Sequence, residues 1–263
     1  MLTSNNQLQD IYAKCNDGFC NQLRMLLAGE FLVKEKYIQS YTQEWTTTNH
    51  NNIDFLNFYE TPSFINFKKI PNKEVNWVDG TFAGMTGKYI EKNGKKWPLN
   101  LIKAFKTLKL KNNIQQIIDR YLQDINTSEL LGIHVRRTCK LGVNKEFNRT
   151  SVLLTNKQYL EILEDYNLNV YVSTDNKETQ SYFKQNLKTR YNAFKDIEKG
   201  IEEYCSVYRR EDVVRFTDPL HTIIDFYTLL NCKRFIGTES SSFSALIYHL
   251  RNKPNDFKIV GGV

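Results

Sequence analysis

From Leu130 to the end of the chain, short apolar runs alternate with amphipathic segments of helical length, and this alternation limits the folds open to it. Leu131–Val135 reads as a buried strand, Thr155–Asp165 as a helix with Tyr159, Leu160 and Leu163 on one side, and Asn169–Ser173 as a short strand. Lys177–Leu187 reads as a helix and Asp212–Phe216 as a strand. Asp218-Pro219 is a helix start, with aspartate at the cap and proline at the first position, and that helix runs to about Asn231. Arg234–Ile236 is a strand, Phe243–Leu250 a helix and Lys258–Val260 a last strand. Strands separated by helices predict a parallel sheet covered by helices, with any ligand beyond the carboxyl ends of the strands.

Three polar clusters fall at those ends: His134 to Lys140, Ser173 to Asn176 and Thr238 to Ser242. The first overlaps the run Gly132-Ile133-His134-Val135-Arg136-Arg137-Thr138. An arginine pair at the end of a buried strand is costly unless an anion or a carboxylate meets it. Neighbouring strand residues point to opposite faces, so one arginine is expected to bind the anion and the other to hold a carboxylate. His134 shares the face of Arg136 by the same alternation, and is either a ligand contact or a satisfied core histidine. Thr238 to Ser242 precedes a helix and is either a phosphate cradle or a capping segment. In the helix from Pro219, His221 and Asp225 lie four apart on one face. Asp225 is either a surface position or a carboxylate that reads a base edge.

Upstream of residue 126 the chain is less regular, with Asn-rich and aromatic stretches such as Thr46 to Phe58, so the reading divides it into domains 1–125 and 126–263. Asn21–Tyr37 has apolar residues at helical spacing (Leu23, Leu26, Leu27, Phe31) and follows a loop containing Gly18. Lys103, Lys106 and Lys109 are spaced as one side of a helix, with Leu101, Phe105 and Leu108 opposite. A chain of 263 residues with 41% apolar and 13% aromatic content has material for a sizeable core. Its net charge of +7 favours an anionic partner or a lysine-rich solvated surface.

Neither a GxGxxG nor a GxxxxGK[ST] loop is present, which argues against a dehydrogenase and a P-loop enzyme. The five cysteines contain no CxxC pair, so zinc ligation has no support and no metal site is expected. The absence of a signal peptide, with an odd cysteine count, leads to an expected cytoplasmic location with reduced thiols. No transmembrane anchor is expected, only peripheral membrane contact at most.

Four segments together resemble the α1,6-fucosyltransferases and the broader group with the nodulation and protein O-fucosyltransferases. Gly132 to Thr138, followed by Lys140, is similar to the HVRRTDK motif. Asp225 with Thr238, Ser240 and Ser241 resembles the D-x₁₂-T-x-S-S segment, Gly18 to Leu23 the G-x-x-N-Q/R-L loop, and Val170 to Asp175 the strand ending in TD. The resemblance implies an α/β fold of the GT-B type, two Rossmann-like domains with parallel sheets facing across a cleft. It makes 1–125 the acceptor side and 126–263 the GDP-sugar side. It implies inverting, metal-independent transfer of fucose from GDP-fucose to a glycan acceptor, with no cofactor beyond that donor and no nucleic-acid partner.

By the same resemblance Arg136 holds the β-phosphate, His134 and Asp225 contact the guanosine, and Ser240 and Ser241 reach the phosphates. Arg137, Thr174, Asp175 and Thr238 line the donor site, and Gly18 and Asn21 approach from the other domain. Arg136, Lys140 and Glu146 are the candidate catalytic residues. The chain departs from the motif at Cys139, where aspartate is expected, and at Asn144, where the glutamate base is expected. Glu146 stands two residues later, and Asp17 and Asp175 are further candidate bases. Replacing Arg136 is expected to abolish transfer and leave the fold intact. The competing readings are a transferase using another GDP-sugar, and a non-catalytic nucleotide or nucleic-acid binder.

Overall fold

The structure is a computed structural model that describes residues 10–15, 18–47, 53–75, 97–137, 154–197, 217–239, 241–251 and 257–260. The chain divides into two compact units, Met1–Asn112 and Asn113–Val263. The strand expected at Asp212–Phe216 lies outside the described residues.

The first unit holds a three-stranded parallel sheet in the order β1-β2-β3, made of β1 (Asp10–Cys15), β2 (Ser40–Trp45) and β3 (Asn66–Phe67). Helix α1 (Phe19–Lys34) joins β1 to β2. It is buried on nearly all sides, Gln22 and Glu30 included, which marks an interior helix rather than an amphipathic surface one. Glu30 accepts from the Thr107 hydroxyl at 2.5 Å and is ion-paired with Lys34. Gly29 is required by close approach: a Cβ there would lie 2.3 Å from the Tyr41 ring.

The aromatic residues on either side of the Asn-rich stretch pack together. Trp45 packs on Phe19 and Phe55, Phe55 stacks on Tyr59 at 4.6 Å, and the Trp45 indole donates to the Ile53 carbonyl at 2.8 Å. The short helix α2 (Phe55–Phe58) is capped by Asp54, which accepts the Leu56 N–H. Helix α3 (Trp97–Phe105) ends partway through the basic face expected of it, with Lys103 in its last turn. Lys106 and Lys109 lie past its end, where the Thr107 hydroxyl bonds the Ala104 carbonyl and Leu110 bridges Tyr59.

The second unit contains a five-stranded, all-parallel sheet in the order β6-β5-β4-β7-β8. Its strands are β4 (Leu130–Val135), β5 (Asn169–Thr174), β6 (Tyr191–Asn192), β7 (Arg234–Thr238) and β8 (Phe257–Val260). Its helices are α4 (Asn112–Asp124), α5 (Asn156–Glu164), α6 (Lys177–Leu187), α7 (Pro219–Asn231) and α8 (Ser242–Arg251). From Leu130 on, each expected element that lies within the described residues is present with boundaries within two residues, and the short edge strand β6 at Tyr191–Asn192 has no counterpart in the sequence reading.

The division falls at residue 112, ahead of the change in sequence character near 126, because α4 packs with the second unit. Ile114 and Ile118 are buried, and Tyr121 meets Phe194 edge-on at 5.0 Å. Every residue of β4 is buried, as expected of a central strand covered on both faces. Leu131, Ile133 and Val135 join Val170, Val172, Tyr159, Leu163, Phe183 and Leu187 under α5 and α6. The alternate residues face α7 and α8. A Cβ on Gly132 would lie 2.6 Å from Leu229, and one on Gly237 would lie 2.8 Å from Ser244.

The chain starts at β4, steps outward through β5 and β6, then returns to the other side of β4 for β7 and β8. The connections therefore change face between β4 and β7. Such a reversal leaves a crevice at the carboxyl ends of the two strands, the usual ligand position in open α/β sheets. Among the described residues no helix is long and apolar enough to cross a membrane.

Candidate functional site

Both arginines stand at this reversal, immediately after β4. The strand has ended at Val135, so strict alternation no longer separates them, and both are buried, with 7% and 5% of their surface exposed. Each is accommodated differently. The Arg136 guanidinium forms a buried ion pair with Asp175 at the end of β5, and the Arg136 backbone N–H donates to the Thr238 hydroxyl at 3.0 Å. The Arg137 guanidinium donates to the Leu154 carbonyl at 2.7 Å and the Asn156 side chain at 2.6 Å, and lies over the Tyr159 ring. Arg137 thus ties the strand end to the start of α5. The sequence reading gave one arginine an anion and the other a carboxylate; it is Arg136 that holds the carboxylate.

Thr238 joins the two strand ends. Its hydroxyl donates to the His134 carbonyl at 2.7 Å, so it acts as acceptor toward the Arg136 N–H and toward the Tyr159 hydroxyl 2.9 Å away. The β4–β7 pairing runs from Leu131 to Ile133, and beyond it the Thr238 side chain of β7 bonds the backbone of the β4 end, at the His134 carbonyl and the Arg136 N–H. Burial raises the Tyr159 hydroxyl above its ordinary value, so it stays protonated as this donor role needs. The Thr238 N–H donates in turn to the Ser244 hydroxyl at 3.0 Å, which also meets Nδ1 of His134 at 2.8 Å. The His134 ring packs on Phe243 with centroids 4.7 Å apart. His134 is therefore both a satisfied buried histidine and a member of the site.

The remaining positions divide by role. The Thr174 hydroxyl donates to the Val135 carbonyl at 2.7 Å, bracing β5 against the end of β4. Ser241 stands just before α8, where its hydroxyl accepts the Ser244 N–H at 3.4 Å. Asp225 is not a surface position. It is buried beneath β5, with its oxygens accepting from the Tyr171 hydroxyl at 2.6 Å and the Ser173 hydroxyl at 2.7 Å. His221 lies one turn earlier, 3.7 Å from the same carboxylate, with Phe194 edge-on to its ring.

The second unit thus brings together His134, Arg136, Arg137, Thr174, Asp175, Thr238 and Ser241 at the strand ends, with Asp225 one layer below. Gly18 and Asn21 belong to the first unit, where Gly18 precedes α1 and its carbonyl accepts the Asn21 N–H at 3.0 Å. Lys140, Glu146, Ser240, Cys139, Asn144 and Asp17 lie outside the described residues. The sequence reading missed Tyr159 and Ser244 as members of the site. Tyr159 appears only as an apolar helix position. Ser244 is signalled faintly by Gly237, whose missing side chain makes room for it.

Burial raises the Asp225 carboxyl above the usual range, and His221, Tyr171 and Ser173 pull the other way. A raised value means that the native state binds this proton more tightly than the unfolded chain. The associated stability is fully present below the ordinary value of 3.8 and is lost as pH rises through the higher native one. Asp225→Asn should remove this slope. In denaturant unfolding over a pH series, wild type should lose stability relative to the variant as pH rises from 3.8. A constant difference between the two would contradict it.

No protein-family model matches the sequence, and no curated protein matches it. Solved structures do. The chain is similar to the NodZ α1,6-fucosyltransferase soaked with GDP-fucose, at 13% identity and a TM-score of 0.58, over 92% of this chain and 93% of that one. The same enzyme from Bradyrhizobium superimposes with a TM-score of 0.57 at 13% identity, over 91% and 92%. A POFUT1 complex with GDP gives a TM-score of 0.55 at 12% identity, over 97% and 99%, and Arabidopsis thaliana FUT1 with GDP gives 0.54 at 10%, over 97% and 70%. At these identities the likeness is one of fold: the chain has the α/β, parallel-sheet architecture of the GT-B fucosyltransferases.

Proposed function

We propose that this protein is an inverting, metal-independent glycosyltransferase that moves fucose from GDP-fucose to a glycan acceptor. The observation that carries the reading is the buried Arg136 at the reversal point of the sheet, in a fold shared with fucosyltransferases solved with GDP or GDP-fucose. A cation held at the carboxyl end of the central strand suits a leaving diphosphate. It stabilises the charge that grows there as the sugar–phosphate bond breaks, the part a metal ion plays in other transferases.

In this reading the acceptor hydroxyl attacks the anomeric carbon of fucose from the face opposite the phosphate. GDP departs onto Arg136, and the hydroxyl proton passes to a general base, Glu146, with Lys140 the other candidate catalytic residue. His134 serves the guanosine side, with Asp225 supporting it from the layer below through Ser173 and Tyr171, and Thr238, Ser240 and Ser241 serve the phosphates. Arg137 and Thr174 shape the donor site by holding its strands and helices. Gly18 and Asn21, at the start of α1, belong to the first unit, read as the acceptor side. The odd cysteine count at irregular spacings, read as reduced thiols, favours a cytoplasmic setting.

Binding is tested by thermal unfolding with GDP, GDP-fucose, GDP-mannose and UDP. A ligand at about a hundred times its Kd adds roughly 2.7 kcal/mol, which for a chain of this size corresponds to about 5–10 °C. GDP and GDP-fucose are expected to give shifts of this order and UDP none. A shift with UDP alone, or with no nucleotide, would sink the reading. Release of fucose from GDP-fucose, with GDP-mannose left intact, distinguishes the fucosyl donor from other GDP-sugars.

A further inference from the structure

Asp175 follows the last residue of β5, and its two carboxylate oxygens have separate partners. Oδ1 accepts the backbone N–H of Arg137 at 2.8 Å. Oδ2 is ion-paired with a terminal nitrogen of the Arg136 guanidinium. Both charged side chains are nearly buried, with 8% and 10% of their surface exposed. The N–H of Arg137 lies two residues past β4, on a backbone tethered by the Arg136 N–H bond to Thr238 and by the Arg137 guanidinium bonds at the start of α5, so the carboxylate anchored on it is held in place as well. A guanidinium is a rigid planar fork. Fixing one of its terminal nitrogens restricts its plane, and with it the direction of its other N–H groups.

We infer that Asp175 is a positioning residue for the donor diphosphate: anchored on the Arg137 backbone, it sets the orientation in which Arg136 meets the terminal phosphate. The inference rests on the donor reading above.

Asp175→Asn tests this directly. The amide oxygen can still accept the Arg137 N–H, but the amide NH₂ then faces the guanidinium, so the anchor survives and the tie is lost. The readout is calorimetric affinity for GDP against GMP, ligands that differ by the terminal phosphate. Wild type should prefer GDP. Asp175→Asn should shrink that preference about tenfold while leaving GMP affinity within about twofold. Arg136→Ala should shrink it similarly, and the double variant no further, because the two residues act as one unit. Equal losses for GDP and GMP in Asp175→Asn, an unchanged preference, or additive losses in the double variant would overturn the inference. A wild type with no preference for GDP would overturn the donor reading itself, a separate and visible failure. If the asparagine variant does not fold, Asp175→Ser keeps an acceptor for the Arg137 N–H and gives the same readout.

Discussion

Arg136→Ala is expected to lower kcat/KM for GDP-fucose by about 10²–10³-fold, the usual loss when one fixed donor to a developing anion is removed. The same change should cost about 3–5 kcal/mol of stability, because it leaves Asp175 buried without its cation. The sequence alone led to a different second half: loss of transfer with the fold intact. That expectation treated Arg136 as a residue waiting for a ligand. The structure instead shows it already in a buried ion pair, with its backbone N–H bonded to Thr238. Donor turnover measures the first effect and urea unfolding the second. Combining Arg136→Ala with Asp175→Asn should recover part of the stability, since no carboxylate is then stranded, and none of the turnover. Full turnover in Arg136→Ala would remove the phosphate role, and stability unchanged from wild type would remove the buried pair.

Thr238→Val should destabilise the second unit by about 2–5 kcal/mol while keeping the side-chain shape. The hydroxyl serves the Arg136 N–H, the His134 carbonyl and the Tyr159 hydroxyl, and the first two are main-chain groups in a buried strand end. Each buried polar group left without a partner costs about 1–3 kcal/mol. Because the Thr238 hydroxyl also holds the backbone of Arg136, GDP affinity should fall with stability. Thr238→Ser keeps the hydroxyl and should stay close to wild type in both. Urea unfolding and GDP calorimetry on the two variants decide it. A valine variant within about 1 kcal/mol of wild type would show that water or a backbone shift replaces the missing bonds.

The two predictions differ in what they take from the chain's linear order. The strand before Arg136, the cap at Asp218 and the helix at Lys177 are local patterns. Apolar residues repeat at the period of their element, and capping residues stand beside the groups they satisfy. The first unit shows where such patterns fail. β2 reads Ser-Tyr-Thr-Gln-Glu-Trp and has no apolar run, yet Tyr41, Thr42 and Gln43 are all buried. The Tyr41 hydroxyl donates to Gln43, whose amide donates to the Gln22 carbonyl of α1, and Gln22 exchanges bonds with both backbone groups of Thr46. A strand that satisfies its polar side chains through another element carries no hydrophobic alternation of its own. The same reason hid the limit of the basic helix, which ends at Phe105 through contacts with Glu30 and Tyr59, far away in sequence.

For the site, the sequence by itself determined the parts: an arginine pair closing a central strand, hydroxyls at the end of another, and a parallel sheet that must present its strand ends on one side. These follow from short-range spacing and from the cost of burying charge without a partner. Only the tertiary structure decided which arginine does what. Asp175 is 39 residues from Arg136, and Thr238 is 102 away. Their meeting depends on β5 and β7 lying on either side of β4, an order set by packing on both faces of the sheet. Arg137 was committed to α5 and Arg136 to Asp175 by that arrangement, and Asp225 went beneath β5 because hydroxyls there could satisfy it.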